Sequence, residues 1–229
     1  KLKVLDRPDW RKIHDQPTPL LGGVAVYIAF SVALLLNDVF LLGMKSLLLG
    51  ATLVFGIGLI DDIRPLPALL KFILQVAISL VVVLLGGIHL TFFYHATWAP
   101  LVNIPLTVFW LVGLTNAMNF FDGIDGLASA LSIICALFLG ILAFNTEQPA
   151  LGWFAVAVVG ACAGFIPHNF RLRKSALLFL GDAGSTFLGF TLAGLAVLGQ
   201  WSVTSHFVSL AAPMLIFGVL LFDMVYVNL

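Results

Sequence analysis

The chain has 229 residues, of which 61% are hydrophobic and 10% charged; mean hydropathy is +1.12, and eleven basic residues balance eleven acidic ones. This composition excludes a water-soluble globular domain and marks an integral membrane protein, for which no nucleic-acid partner is expected. Cys135 and Cys162 both fall inside apolar runs and read as small packing residues, with no redox or metal signal.

In chain order, the first feature is Asp6-Arg7-Pro8-Asp9-Trp10-Arg11-Lys12-Ile13-His14, followed by Pro17-Thr18-Pro19-Leu20-Leu21-Gly22-Gly23. Lys1 and Lys3 need do no more than touch anionic headgroups. Arg11, Lys12 and His14 are held differently, because the prolines and paired glycines specify a rigid turn at the membrane face. They are expected contacts for a diphosphate or lipid phosphate. The first residues form no cleavable signal pattern. A start at Lys1 and an end at Leu229, just beyond an apolar run, suggest part of a longer protein.

Eight apolar runs follow, near 19–36, 43–60, 68–86, 100–118, 127–144, 151–168, 183–200 and 208–226. Each is about 18 to 20 residues, enough for a helix to cross roughly 30 Å of hydrocarbon, and none has the alternating pattern of a membrane barrel. The expected fold is all-α, a polytopic transmembrane helical bundle of about eight spans in one domain.

Carboxylates punctuate the ends of these runs. Asp61-Asp62-Ile63-Arg64-Pro65 closes the second; alone, such a pair reads as solvated loop charge. Asn116, Asn119, Asp122 and Asp125 recur every three residues out of the fourth run, so if the segment stays helical they share one face. Gly181-Asp182-Ala183-Gly184-Ser185 opens the seventh; its bland reading is a capping Asp, but the amides of a helix start can also receive phosphate oxygens.

Alternating the spans across the membrane places Lys1, Lys3, Arg7, Arg11, Lys12, Arg64, Lys71, Arg171, Arg173 and Lys174 on one side and Lys45 alone on the other. The basic side is expected to be cytoplasmic, and all five carboxylates lie there. A transporter is expected to hold its acids near the midplane, often within inverted repeats, and no such repeat is visible. Acids on one face suit an enzyme that takes a soluble substrate from the cytosol and a second from the lipid. Two carboxylates roughly 5 Å apart repel by about 3 kcal/mol at an effective dielectric of about 20, so a converging set needs protons, basic partners or a metal. All-oxygen donors without clustered His or Cys point to Mg²⁺, with Mn²⁺ as a substitute.

Four motifs in order, covering nearly the whole chain, now carry a resemblance. They are the Asp6 to Gly23 string; Asp61-Asp62 with Lys71 and Gln75; Asn116-Ala117-Met118-Asn119-Phe120-Phe121-Asp122-Gly123-Ile124-Asp125-Gly126; and Gly181-Asp182-Ala183-Gly184-Ser185-Thr186. Together they resemble the polyprenyl-phosphate N-acetylhexosamine-1-phosphate transferases, and most closely the undecaprenyl-phosphate GlcNAc-1-phosphate transferases. The resemblance implies transfer of HexNAc-1-phosphate from a UDP-N-acetylhexosamine to a polyprenyl phosphate at the cytoplasmic face of the bacterial inner membrane, with release of UMP and a need for Mg²⁺. It is compatible with a homodimer.

Carried over by motif, Asp61 would be the catalytic carboxylate with Asp62 beside it, and Asp182 and Asp122 would hold the metal. Asp125, Lys71, Asn119, Asn169, Gly181, Arg11, Lys12 and His14 would contact substrate. The resemblance also implies a further first helix, and a His-containing loop with further helices beyond Leu229. The peptidoglycan phospho-MurNAc-pentapeptide translocase is the nearest alternative. A cation-coupled transporter is a more distant one. The Asp-x-x-Asp-Gly core also occurs in CDP-alcohol phosphatidyltransferases, but the rest of that signature fails in this register at Ser129, Ala130, Leu139, Ala143 and Glu147.

Overall fold

The computed structural model describes residues 5–6, 18–37, 42–93, 96–171, 175–202 and 206–226. Among them the apolar runs become helices: α1 (Gly22–Asn37), α2 (Leu42–Ile63), α3 (Ala68–Gly86), α4 (Ala99–Phe121), α5 (Leu127–Asn145), α6 (Pro149–Asn169), α7 (Gly181–Leu198), α8 (His206–Ile216) and α9 (Gly218–Tyr226). Two residue pairs, β1 (Leu5–Asp6) and β2 (Thr18–Pro19), lie antiparallel ahead of α1. The protein is a polytopic helical bundle.

The expected number of about eight spans is approximate: among the described residues the bundle has six full-length candidates, or seven if the bent pair is one span, and one shorter apolar helix. Helix α1, at 16 residues, rises only about 24 Å. The run at 208–226 is broken, with α8 and α9 bent by 72° about Phe217. Pro213 removes an amide from the α8 ladder and Gly218 is a poor helix former, so the helix gives way between them. Phe217 is buried at the corner, edge-on to Trp110 with ring centroids 5.8 Å apart.

Helix α7 is the hub, wrapped by α1, α2, α4 and α5, and every residue from Ala183 to Ala196 is buried. Lipid chains are as apolar as leucine, so burial in a membrane is driven by close packing, and small residues allow it. At Gly58, an added Cβ would lie 2.6 Å from the Asp182 carbonyl oxygen. That approach sets the end of α2, with Asp61 and Asp62, against the first turn of α7. An aromatic cluster holds the middle of the bundle: Tyr27 stacks on Phe55 at 4.1 Å, and Phe187 meets Tyr27 and Phe30 edge-on, each at 5.3 Å. By contrast, α3 presents Leu69, Phe72, Ile73, Leu80, Leu84 and Leu85 outward, as a lipid-facing helix should.

Candidate active site

Four helix ends meet at one end of the bundle: the close of α2, the start of α3, the close of α4 and the start of α7. Pro65 and Pro67 stiffen the short link from α2 to α3, and the Leu66 amide within it donates to Asp61 Oδ1 at 2.6 Å. One turn into α3, Lys71 Nζ donates to Asp61 Oδ2 at 2.7 Å and to Asp182 Oδ2 at 2.9 Å. A single ammonium thus joins carboxylates 121 residues apart in sequence. Asn119 completes the grip on Asp182, donating Nδ2 to Oδ1 at 3.0 Å and to Ser185 Oγ at 2.9 Å.

The first amides of α7 are already occupied. Asp62 Oδ1 accepts from the Asp182 amide at 2.8 Å, and Oδ2 accepts from the Ala183 amide at 3.0 Å. The Gly181 amide bonds the Asp122 carboxylate. In the structure the protein's own carboxylates, Asp62 and Asp122, occupy the amides that were expected to meet substrate phosphate at Gly181 and its neighbours. Gly181 has a different task. Its φ is +72°, and a Cβ there would sit 2.7 Å from Asp62 Oδ2, so glycine admits both the left-handed turn and the incoming carboxylate. Asp62, expected beside the catalytic group, acts here as a cap that fixes α7.

Asp122 is the C-cap of α4, which ends at Phe121, so the three-residue spacing stays on one helical face from Asn116 through Asn119 and stops there. Asp125 falls in the following turn and is exposed, off the helical face expected for it. Asp122 keeps some exposed surface but its carboxyl is crowded: burial, and then the charges of Asp182 and Asp62, push it well above the ordinary carboxylate range, against the pull of the Gly181 amide.

Asn169, expected to contact substrate, is bonded within the protein at both ends of its side chain. It is buried, its Oδ1 accepts the Gly126 amide and its Nδ2 donates to the Leu178 carbonyl at 2.9 Å, so it pins the two loops flanking the site. Arg11, Lys12 and His14 lie outside the described residues. The sequence placed Ser185, Thr186, Asn116 and Gln75 in motifs without giving them roles; the hydroxyls of Ser185 and Thr186 bond backbone carbonyls within α7, and the side chains of Asn116 and Gln75 meet at 2.6 Å. Polar residues one turn apart in apolar helices were their available signal.

Lys71, Gln75, Asn116, Asn119, Asp182 and Thr186 line a cleft with Val54, Ile57 and Gly58. Its enclosed space is only about 20 Å³, room for one water, so a substrate must engage its open end. A larger cavity of about 960 Å³ at the other end of the bundle is lined by Phe92, Trp110, Trp201 and Met214, among others, with no Asp, Glu, Lys or Arg.

Among the described residues no three His, Cys, Asp or Glu side chains converge to hold a metal unaided. The donor set still fits Mg²⁺, which needs only one or two carboxylates when phosphates and water complete its shell. Lys71 bridges Asp61 and Asp182, while Asp62 and Asp122 bond the amides that open α7.

Residues 44–200 match the family described as Glycosyl transferase family 4. A Bacillus subtilis protein named "Probable undecaprenyl-phosphate N-acetylglucosaminyl 1-phosphate transferase" is 32% identical over 97% of this chain and 63% of its own length. The "Decaprenyl-phosphate N-acetylglucosaminephosphotransferase" of Mycolicibacterium smegmatis is 33% identical over 87% of this chain and 54% of its own length. A Staphylococcus haemolyticus "Phospho-N-acetylmuramoyl-pentapeptide-transferase" is 36% identical over 79% of this chain and 62% of its own length. The chain thus spans 54% to 63% of the length of these relatives.

Proposed function

The chain belongs to glycosyl transferase family 4, and on that premise we propose that it transfers N-acetylhexosamine-1-phosphate, specifically GlcNAc-1-phosphate, from a UDP-sugar to a polyprenyl phosphate, releasing UMP. One observation carries the reading most: Lys71 bridges Asp61 and Asp182, uniting the expected catalytic carboxylate with the expected metal ligand at the end of the bundle. By the distribution of basic residues, that end faces the cytoplasm, where a nucleotide sugar is available.

The acceptor phosphate has a second pKa near 6, so it is mostly dianionic at neutral pH and already nucleophilic. Its oxygen attacks the sugar-linked phosphorus; a new pyrophosphate bond forms, the bond from that phosphorus to the bridging oxygen breaks, and UMP departs with the bridging oxygen and those electrons. Mg²⁺, when bound at Asp182 with Asp122, supplies positive charge to the phosphates. Lys71 adds a fixed ammonium beside the same phosphates, easing the approach of two anions. Asp61 already accepts bonds from Leu66 and Lys71, which suits it to orient the acceptor and take up a residual proton rather than act as a strong base. Asp62 and Asp122 hold the α7 start, and hence Asp182, in place.

The test is UMP release by full-length protein in detergent, with undecaprenyl phosphate and a panel of UDP-HexNAc donors, with and without Mg²⁺. The Staphylococcus haemolyticus relative supports a second reading, with a UDP-MurNAc-pentapeptide donor. Including that donor in the panel separates the two. Solute uptake dependent on Asp61 without UMP release would favour a transporter.

A further inference from the structure

One turn below Lys71, Gln75 is the only buried residue among the first eleven residues of α3. Around it Leu69, Leu70, Phe72 and Ile73 are exposed and Leu74, Val76 and Ile78 only partly buried, so apolar packing near Lys71 is incomplete. Gln75 Oε1 instead accepts a 2.6 Å hydrogen bond from Asn116 Nδ2, which also donates to the Val112 carbonyl at 2.8 Å. Among the described residues this is the side-chain hydrogen bond that ties α3 to α4. Asn116 stands one turn before Asn119, the residue holding Asp182 and Ser185. Both amides line the cleft with Lys71 and Asp182. A leucine at position 75 would suit the membrane better if packing were the only demand, since a buried amide must be matched by a partner.

We propose that Gln75 and Asn116 are positioning residues: their bond sets the α3–α4 register that holds the Lys71 ammonium between Asp61 and Asp182. The pair touches no reacting atom and acts through Lys71. The inference rests on the transferase reading for its activity readout, and a second readout stands apart from it.

The experiment uses full-length protein, UDP-GlcNAc, undecaprenyl phosphate and Mg²⁺. Q75L should lower kcat by about tenfold or more, while KM for UDP-GlcNAc stays within about twofold, because small misplacements of a catalytic group act on turnover. The swapped pair, Gln75→Asn with Asn116→Gln, should recover activity to within about threefold of wild type. In a Lys71→Met background Q75L should add less than about a twofold loss, as expected for residues acting through one group. An undiminished loss in that background, an unrescued swap with an unchanged melting temperature, or a fully active Q75L would each overturn the proposal. If Q75L does not fold, Gln75→Asn alone takes its place in the same comparison. If wild type releases no UMP, the transferase reading fails, and melting temperatures decide instead. Less than additive shifts of Q75L and Lys71→Met support the pairing; additive shifts overturn it.

Discussion

Replacing Asp62 tests whether it caps α7 or does chemistry. Asp62→Ala removes both acceptors of the Asp182 and Ala183 amides, at 2.8 and 3.0 Å, and no other side chain is bonded to those amides among the described residues. Losing a capping side chain costs about 1 to 2 kcal/mol, and two amide donors left out of water raise this toward about 3 kcal/mol. For a chain of this length each 1 kcal/mol shifts the melting temperature by about 2 to 4 °C, so a cost of about 2 to 3 kcal/mol should make Asp62→Ala melt roughly 4 to 12 °C below wild type in detergent. Asp62→Asn keeps one oxygen for one amide and should lose about half as much. Asp61→Asn, which retains an acceptor for Leu66, should change melting little while removing most UMP release. If Asp62→Ala melts like wild type but is as inactive as Asp61→Asn, Asp62 belongs to the chemistry and the capping account is wrong.

Lys71→Met leaves Asp61 and Asp182 facing each other without their shared cation, and should lower UMP release by about 10²-fold, as loss of a preorganised charge does. Added Mg²⁺ should raise the melting temperature of this variant more than that of wild type. Asp122 sets a pH dependence: its folded pKa is raised, so its ionised form opposes folding, and that penalty is relieved as pH falls from above the folded value toward the unfolded value near 4. Without divalent ions, melting temperature should therefore rise as pH is lowered through that window, and Asp122→Asn should flatten the slope; an unchanged slope refutes the assignment. Gly181→Ala should lower the melting temperature by several degrees, because a left-handed φ costs alanine about 1 to 2 kcal/mol and its Cβ displaces Asp62. A neutral Gly181→Ala would show that the turn is not held as described.

Much of the fold was legible because a membrane leaves little choice. An apolar run of span length must become a helix, and the run read at 68–86 coincides with α3. The break at Phe217 escaped because hydropathy runs unchanged across it, and only Pro213 and Gly218 hinted at it. The site was legible in its residues but not in its wiring. Three-residue spacing placed Asn116, Asn119 and Asp122 on a face, yet could not show that α4 stops at Phe121 and leaves Asp125 behind. The α7 start was recognised as an anion site. Which anion fills it depends on Asp62, 120 residues earlier, and on the glycine at 58 that lets the two helices touch. Asn169 entered as a substrate contact through the family resemblance alone; only tertiary contact shows both of its ends bonded to the loops beside the site.

The most direct test of the account is UMP release from UDP-GlcNAc by full-length protein with undecaprenyl phosphate, comparing Mg²⁺ with EDTA and wild type with Asp61→Asn. The account predicts release that requires both the lipid and Mg²⁺, and that is lost in Asp61→Asn while the protein still melts like wild type. Full activity in Asp61→Asn, or release that persists in EDTA, would contradict it.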